Sequence, residues 1–125
     1  MYYYDREDNT FYMQQRADGA RQEWSDEEWA ALFAVDKFHY VDYDEAQDKP
    51  VQKLLPQEEL DGAMRKQRKI LFDAFDIYKQ NLFYGIEEET EAEHAAVLEW
   101  YAAAKDLSLA AFAEENIPRK IKKYR

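Results

Sequence analysis

Residues 82–105 read LFYGIEEETEAEHAAVLEWYAAAK and decide how the C-terminal half of the chain folds. Gly85 follows an apolar helical pattern, at the point where a helix C-terminus favours a residue that adopts positive φ. Thr90 and Glu93 give the T-x-x-E pattern of a capping box directly before the next apolar run. The stretch therefore predicts the end of one helix, a turn and the start of a second helix.

Both predicted helices carry an apolar face. The first extends over residues 57–84 and the second over residues 91–106. Apolar residues recur at helical spacing at Leu60, Met64, Leu71, Phe75, Tyr78 and Leu82 in the first helix, and at Val97, Leu98, Trp100, Tyr101 and Ala104 in the second. Because a short loop joins two such helices, they are expected to pack antiparallel. Residues 57–107 are thus predicted to form a helical hairpin.

The N-terminal residues 1–43 have the composition of short strands followed by a helix. Three aromatic segments, residues 2–4, 10–13 and 20–24, are separated by turn-forming residues and predict a small β-meander. Ser25 and Glu28 give a second capping-box pattern, which predicts a short helix over residues 26–34. Residues 38–43 alternate weakly and are interpreted as a further strand. The predicted fold class is therefore α+β.

Two segments remain outside these elements. Residues 44–56 contain Pro50 and Pro56 among polar residues, and we interpret them as a linker. Residues 108–125 are predicted to form a short helix, capped by Ser108 and reaching Glu115, and then a basic tail. The tail is either a loose terminus that offsets an acidic body or a segment that docks on an acidic partner.

Charge and composition narrow the classes of function. The net charge is −10, and the last seven residues hold five basic side chains, which leaves 12 basic against 27 acidic residues before them. This excess of negative charge repels the phosphate backbone of nucleic acids. We therefore expect no nucleic-acid partner. There are no cysteines, no apolar run long enough to span a membrane and no signal-peptide pattern at the N-terminus. These features predict a soluble cytoplasmic protein without a membrane partner.

Residues that could carry chemistry are few. His39 and His94 are the only histidines, and Glu91 with His94 makes one Glu-x-x-His pair where a di-iron bundle needs two such pairs and two further glutamates. The three glycines cannot build a phosphate-binding loop, and there is no nucleophile elbow. We therefore expect no enzymatic activity, no metal and no cofactor.

Several motifs occur in an order that resembles a known family. They are YYYD and FYM around the first turn, SDEEWAAL over residues 25–32, YGIEEETEAEH over residues 84–94 and LEWYAAAKDL over residues 98–107. This collinear set resembles the tail fibre assembly proteins of bacteriophages and prophages over roughly four fifths of the chain. The basic ending at residues 119–125 departs from that family.

The resemblance implies a non-enzymatic chaperone in the bacterial host cytoplasm that binds the C-terminal, receptor-binding region of a trimeric tail fibre. An assembling fibre exposes β-rich edges, which are prone to aggregation, and a chaperone could cover them. One alternative is a structural or adaptor subunit that remains in the phage tail or baseplate. A small regulatory or inhibitory binding protein is another, and self-association is possible in each case.

The aromatic residues of the N-terminal segment are the predicted partner-binding site. The set comprises Tyr2, Tyr3, Tyr4, Phe11, Tyr12, Trp24 and Trp29, of which at least half are expected to be core residues. Strand alternation places Tyr2 and Tyr4 on one face and Tyr3 on the other, and it separates Phe11 from Tyr12. We expect Tyr3 and Tyr12 to be exposed, so that truncation of each to alanine weakens binding by roughly 1–3 kcal/mol. Alternation does not fix which face is outside, so Tyr2 and Tyr4 are the alternative pair.

Overall fold

The computed structural model describes all residues, Met1–Arg125, and it has the α+β class. Short antiparallel strands occupy the N-terminal part and helices the C-terminal part. The chain divides into two compact units, Met1–Pro56 and Gln57–Arg125, which we call the N-terminal and C-terminal units.

A three-stranded antiparallel sheet begins the N-terminal unit. Its strands are β1 (Tyr2–Asp5), β2 (Thr10–Tyr12) and β3 (Gln22–Trp24), in the order β2-β1-β3. The predicted meander is therefore wrong, because a meander would place β2 in the centre. Residues 13–21 form a connection long enough to carry the chain across to the far edge of β1, with a turn at Gly19 (φ +69°).

The helix α1 (Asp26–Phe33) begins at the capping box predicted from the sequence. The Ser25 side chain accepts a hydrogen bond from the Glu28 backbone N–H, and the Glu28 side chain accepts one from the Ser25 N–H. At the other end, the Gln52 side-chain amide donates to the carbonyls of Ala31 and Leu32, at 3.2 and 3.0 Å. A side chain distant in sequence thus satisfies carbonyls that a helix C-terminus leaves without partners.

A second sheet corrects the interpretation of residues 44–56 as a linker. Strands β4 (His39–Asp44) and β5 (Lys49–Leu54) form an antiparallel hairpin whose register pairs Tyr43 with Pro50. Asp48 adopts φ +51° in the turn between them. Proline is tolerated in β5 because this strand is at a sheet edge, where a residue can lack the backbone N–H donor without breaking a ladder.

The C-terminal unit contains two long helices, α2 (Gln57–Phe83) and α3 (Glu91–Lys105). The Arg68 guanidinium donates to the Lys105 carbonyl at 3.1 Å. The Phe72 and Tyr101 rings stack with centroids 4.7 Å apart, and the Tyr78 hydroxyl donates to Glu89 at 2.6 Å. Successive α2 residues, from Arg68 to Tyr78, thus contact residues that lie progressively earlier in α3 and in the loop before it. Antiparallel helices give this order of contacts. Buried Leu71, Ala74 and Val97 contribute to the core of this unit.

The turn between α2 and α3 has the local chemistry expected from the sequence. Gly85 has φ +74°, its N–H donates to the Leu82 carbonyl at 3.2 Å, and the Ile86 N–H donates to the Asn81 carbonyl at 2.8 Å. These two bonds are those of a Schellman motif, and they confirm the predicted helix end. Thr90 and Glu93 form the reciprocal capping box at the start of α3.

The glycines of α2 and of its C-cap provide a matched pair of substitutions. We expect Gly85→Ala to lower the free energy of unfolding by about 1–2 kcal/mol, because an L-residue is strained at positive φ. Gly62→Ala should raise it by about 0.5–1 kcal/mol, since Gly62 lies inside the helix and no atom stands within 4 Å of an added Cβ. Urea denaturation followed by circular dichroism measures both. Shifts of the same sign in the two variants would contradict the helix-end assignment.

The last residues of the chain are folded, which corrects the interpretation of a short helix followed by a tail. Two short 3-10 turns, Leu109–Phe112 and Glu114–Asn116, replace the predicted helix, and Ser108 makes no side-chain capping bond. A final helix, α4 (Arg119–Lys123), contacts α2 and buries Ile121 completely. The isoleucine supplies an apolar anchor inside a basic sequence, so the segment docks on its own chain.

Candidate protein-binding surfaces

Five of the seven predicted site residues lie between the first sheet and α1. Four of them, Tyr2, Tyr4, Phe11 and Trp24, are on the sheet face that α1 covers, and Trp29 is on α1. Tyr4 is 1% exposed and pairs with Phe11 across the strands. The Tyr2 ring stacks on Trp29 at 4.3 Å, and the Phe11 ring meets Trp24 edge-on at 5.5 Å. These residues form an aromatic core between the sheet and α1, in which Phe33 of α1 also contacts Phe11. Of these five residues Tyr4 alone is buried, and Tyr2, Phe11, Trp24 and Trp29 are half-buried.

The opposite face of the sheet carries the remaining two, Tyr3 and Tyr12. They are direct cross-strand partners, and both are half-buried. The Arg21 guanidinium lies 3.6 Å from the centroid of the Tyr12 ring, and the Tyr12 hydroxyl donates to Asp8. A cation over the ring covers one of its sides. Tyr12 is thus less available to a partner than its position on the outer face suggests.

A buried carboxylate holds this arginine in place. Asp5 accepts hydrogen bonds from Arg21 Nε and from the Glu7 backbone N–H, both at 3.0 Å, and Arg16 is 3.6 Å away. The hydrogen bond from Arg21 is the largest cause that keeps the pKa of Asp5 below its ordinary value. Asp5 therefore stays ionised near neutral pH, which keeps Arg21 over Tyr12.

The most exposed aromatic side chains lie elsewhere, at the end of α2. Phe83, Tyr84 and Ile86 are 84%, 72% and 70% exposed, and we call them the turn cluster. The Phe83 and Tyr84 rings meet edge-on with centroids 5.2 Å apart. Three large apolar side chains exposed within four consecutive residues are a typical feature of a protein-binding surface.

The apolar surface continues along α2. Ile70, Ile77 and Tyr84 are spaced by seven residues, so they follow one line of the helix surface over about 21 Å. Ile70 and Ile77 are both exposed although they are large and aliphatic. We call this line the α2 stripe. It lies beside the core-facing residues Leu71 and Tyr78 and is not part of the core.

Sequence reasoning missed the turn cluster because it assigned these residues to the helix end. The signal was present: Phe83 and Tyr84 fall outside the core periodicity that ends at Leu82, and Ile86 follows the terminating glycine. A helix C-cap needs only Gly85 and its backbone bonds. Large apolar residues on both sides of it therefore require another explanation.

The histidine of the Glu91–His94 pair has a structural partner. His94 Nδ1 lies 2.6 Å from Glu89 Oε1, while the other Glu89 oxygen accepts the Tyr78 hydroxyl. Burial, and then this hydrogen bond, raises the pKa of Tyr78 well above its ordinary value. Tyr78 thus remains protonated at neutral pH and joins α2 to the loop before α3. No group of three or more histidine, aspartate or glutamate side chains is arranged to hold a metal ion.

The basic C-terminal segment binds acidic residues of its own unit. Glu87 accepts from Lys123 and from the Tyr124 hydroxyl, and the lysine holds the pKa of Glu87 below its ordinary value. Lys120 lies 3.1 Å from Glu93. A cleft of about 690 Å³ lies between these groups, and both of its acidic lining residues, Glu87 and Glu93, are already paired with lysines. The predicted acidic partner of the tail is therefore found within the chain.

No family model, no curated protein and no solved structure matches this chain. None of its helices is both long enough and apolar enough to cross a lipid bilayer.

Proposed function

We propose that this protein is a non-enzymatic chaperone that binds another protein through the turn cluster and the α2 stripe. The observation that carries this proposal is the exposure of Phe83, Tyr84 and Ile86 within four consecutive residues. Exposing such side chains in water is unfavourable, and a partner that buries them would recover about 25 cal/mol for each Å² removed from solvent. The net charge of −10 disfavours self-aggregation through charge repulsion.

The partner that we propose is the C-terminal, receptor-binding region of a trimeric phage tail fibre. Support comes from the collinear motifs that resemble tail fibre assembly proteins. A fibre that is still assembling exposes apolar surface and unpaired strand edges. The turn cluster would cover such apolar surface until the trimer forms.

Co-expression with a trimeric tail fibre protein tests the proposal. We expect the protein to raise the yield of soluble fibre trimer. The double variant Phe83→Ser, Tyr84→Ser should weaken binding to the isolated fibre region by about 2–4 kcal/mol, as truncation of central aromatic anchors does. Titration calorimetry measures the affinity, and circular dichroism checks that the variant is folded.

Met13→Ser is the matched control, since Met13 is 77% exposed but belongs to the N-terminal unit, whereas the turn cluster belongs to the C-terminal unit. It should leave affinity unchanged. Tyr3→Ala with Tyr12→Ala tests the outer face of the sheet in the same assay. If the fibre trimerises equally well without the protein, the chaperone proposal is wrong. Stoichiometric copies in purified tails, found by mass spectrometry in that case, would identify a structural subunit.

A further inference from the structure

A groove of about 620 Å³ lies within the N-terminal unit, between β3 and the β5 hairpin. The side chains of Trp24, Leu32 and Pro50 line it together with polar residues of both strands. At one end the Gln22 side-chain amide donates to the Asp48 carbonyl. We call this feature the edge groove, because each of the strands that border it is the last strand of its sheet.

Backbone groups of β5 face away from β4 along this groove. The Leu55 N–H donates to the Phe38 carbonyl at 2.9 Å, which makes these opposite residues a hydrogen-bonded pair. Bonded and non-bonded pairs alternate in an antiparallel ladder, so the pairs Val41–Gln52 and Tyr43–Pro50 are non-bonded. The backbone groups of Gln52 and Pro50 therefore point away from β4. A proline is compatible with such an outward-facing position. At a hydrogen-bonded position its missing N–H would interrupt the ladder.

No backbone hydrogen bond joins β3 to β5 across the groove. Strand β3 pairs with β1 on one side alone, and β5 pairs with β4 on one side alone. Free strand edges bind extended peptides through main-chain hydrogen bonds, while side-chain pockets select the sequence. Pro50 is buried, so the part of the β5 edge that is open to a peptide centres on Gln52, which is exposed.

The charge of the groove selects the kind of peptide. Glu23, Glu28 and Asp48 line it against the single cation Lys49. Glu23 is exposed and makes no ion pair or hydrogen bond, unlike Asp48, which accepts from Arg6 and Tyr43. An unpaired carboxylate beside a free strand edge attracts a basic side chain.

We propose that the edge groove binds an extended, basic segment of a partner protein, which adds a strand alongside β5 and places its apolar side chains against Trp24 and Leu32. This site lies in a different unit from the turn cluster. The proposal for the edge groove does not depend on whether the partner is a tail fibre.

The test uses the full chain labelled with nitrogen-15 and a seven-residue peptide, KVKVTVK, with blocked ends. Titration should shift the backbone amide signals of residues 22–24, 49, 51 and 52 in NMR spectra. A version of the peptide that is N-methylated at alternate residues, and so lacks main-chain donors, should fail to bind. The acidic analogue EVEVTVE should bind at least about fivefold more weakly.

Glu23→Lys should weaken binding of KVKVTVK about fivefold, because it replaces an attraction by a repulsion in the groove. Glu45→Lys is the control with the same charge change, since Glu45 lies in the β4–β5 turn and does not line the groove. Equal weakening in both variants, shifts that map to β2 or β4, undiminished binding of the N-methylated peptide, or no shift at about 1 mM peptide would each overturn the proposal.

Discussion

Tyr4→Ala is expected to lower the free energy of unfolding by about 3–5 kcal/mol, the largest effect of any substitution discussed for the N-terminal unit. Tyr4 is 1% exposed and occupies the central strand of its sheet. Its ring contacts Phe11 at 5.1 Å and Tyr43 at 6.3 Å between centroids, and its hydroxyl donates to Asn9. Truncation removes these contacts together and leaves a cavity in a small core.

Two control variants separate the causes of this loss. Tyr4→Phe removes only the hydroxyl and should lower stability by about 1 kcal/mol. Tyr40→Ala, on the exposed side of β4, should lower it by about 1 kcal/mol or less. Urea denaturation gives the totals, and hydrogen exchange of the β1 amides locates the effect. If Tyr4→Ala and Tyr40→Ala prove equally mild, Tyr4 is not a core residue and belongs again with the candidate binding residues.

Ile121→Ala should destabilise the C-terminal unit by about 3 kcal/mol. Ile121 is 0% exposed and lies in the middle of α4, a helix of five residues. So short a helix is not stable in isolation, and its packing must hold it in place. Loss of the anchor should therefore release residues 119–125 from Glu87 and Glu93, which hydrogen exchange would detect as faster exchange of the α4 amides.

Ile77→Ala is the matched control, because the same side chain is removed from an exposed position on the α2 stripe. It should change stability by about 0.5 kcal/mol or less. A loss in Ile121→Ala no larger than that in Ile77→Ala would show that the C-terminal segment is the loose tail that its composition predicts. The comparison also separates stability from binding, since Ile77 belongs to the proposed partner surface.

Features that depend on a few neighbouring residues could be read from the sequence. The capping boxes at Ser25 and Thr90 and the positive φ of Gly85 are satisfied by groups within a few positions of each other. The α+β class follows from the change of hydrophobic period between the two halves of the chain. Strand alternation also separated Tyr3 and Tyr12 from Tyr2, Tyr4 and Phe11, because successive side chains of a strand point to opposite faces.

Features that depend on distant residues required the tertiary structure. The order β2-β1-β3 and the pairing of β5 with β4 are decided by which edges meet, and Pro50 concealed β5 because an edge strand needs no donor there. The packing of Trp29 and Phe33 from α1 decides which face of the first sheet is covered. The basic segment docks because Ile121 finds a buried site and its charges find glutamates more than 25 residues earlier. Local pattern carries no information about such partners, so only the folded chain decides them.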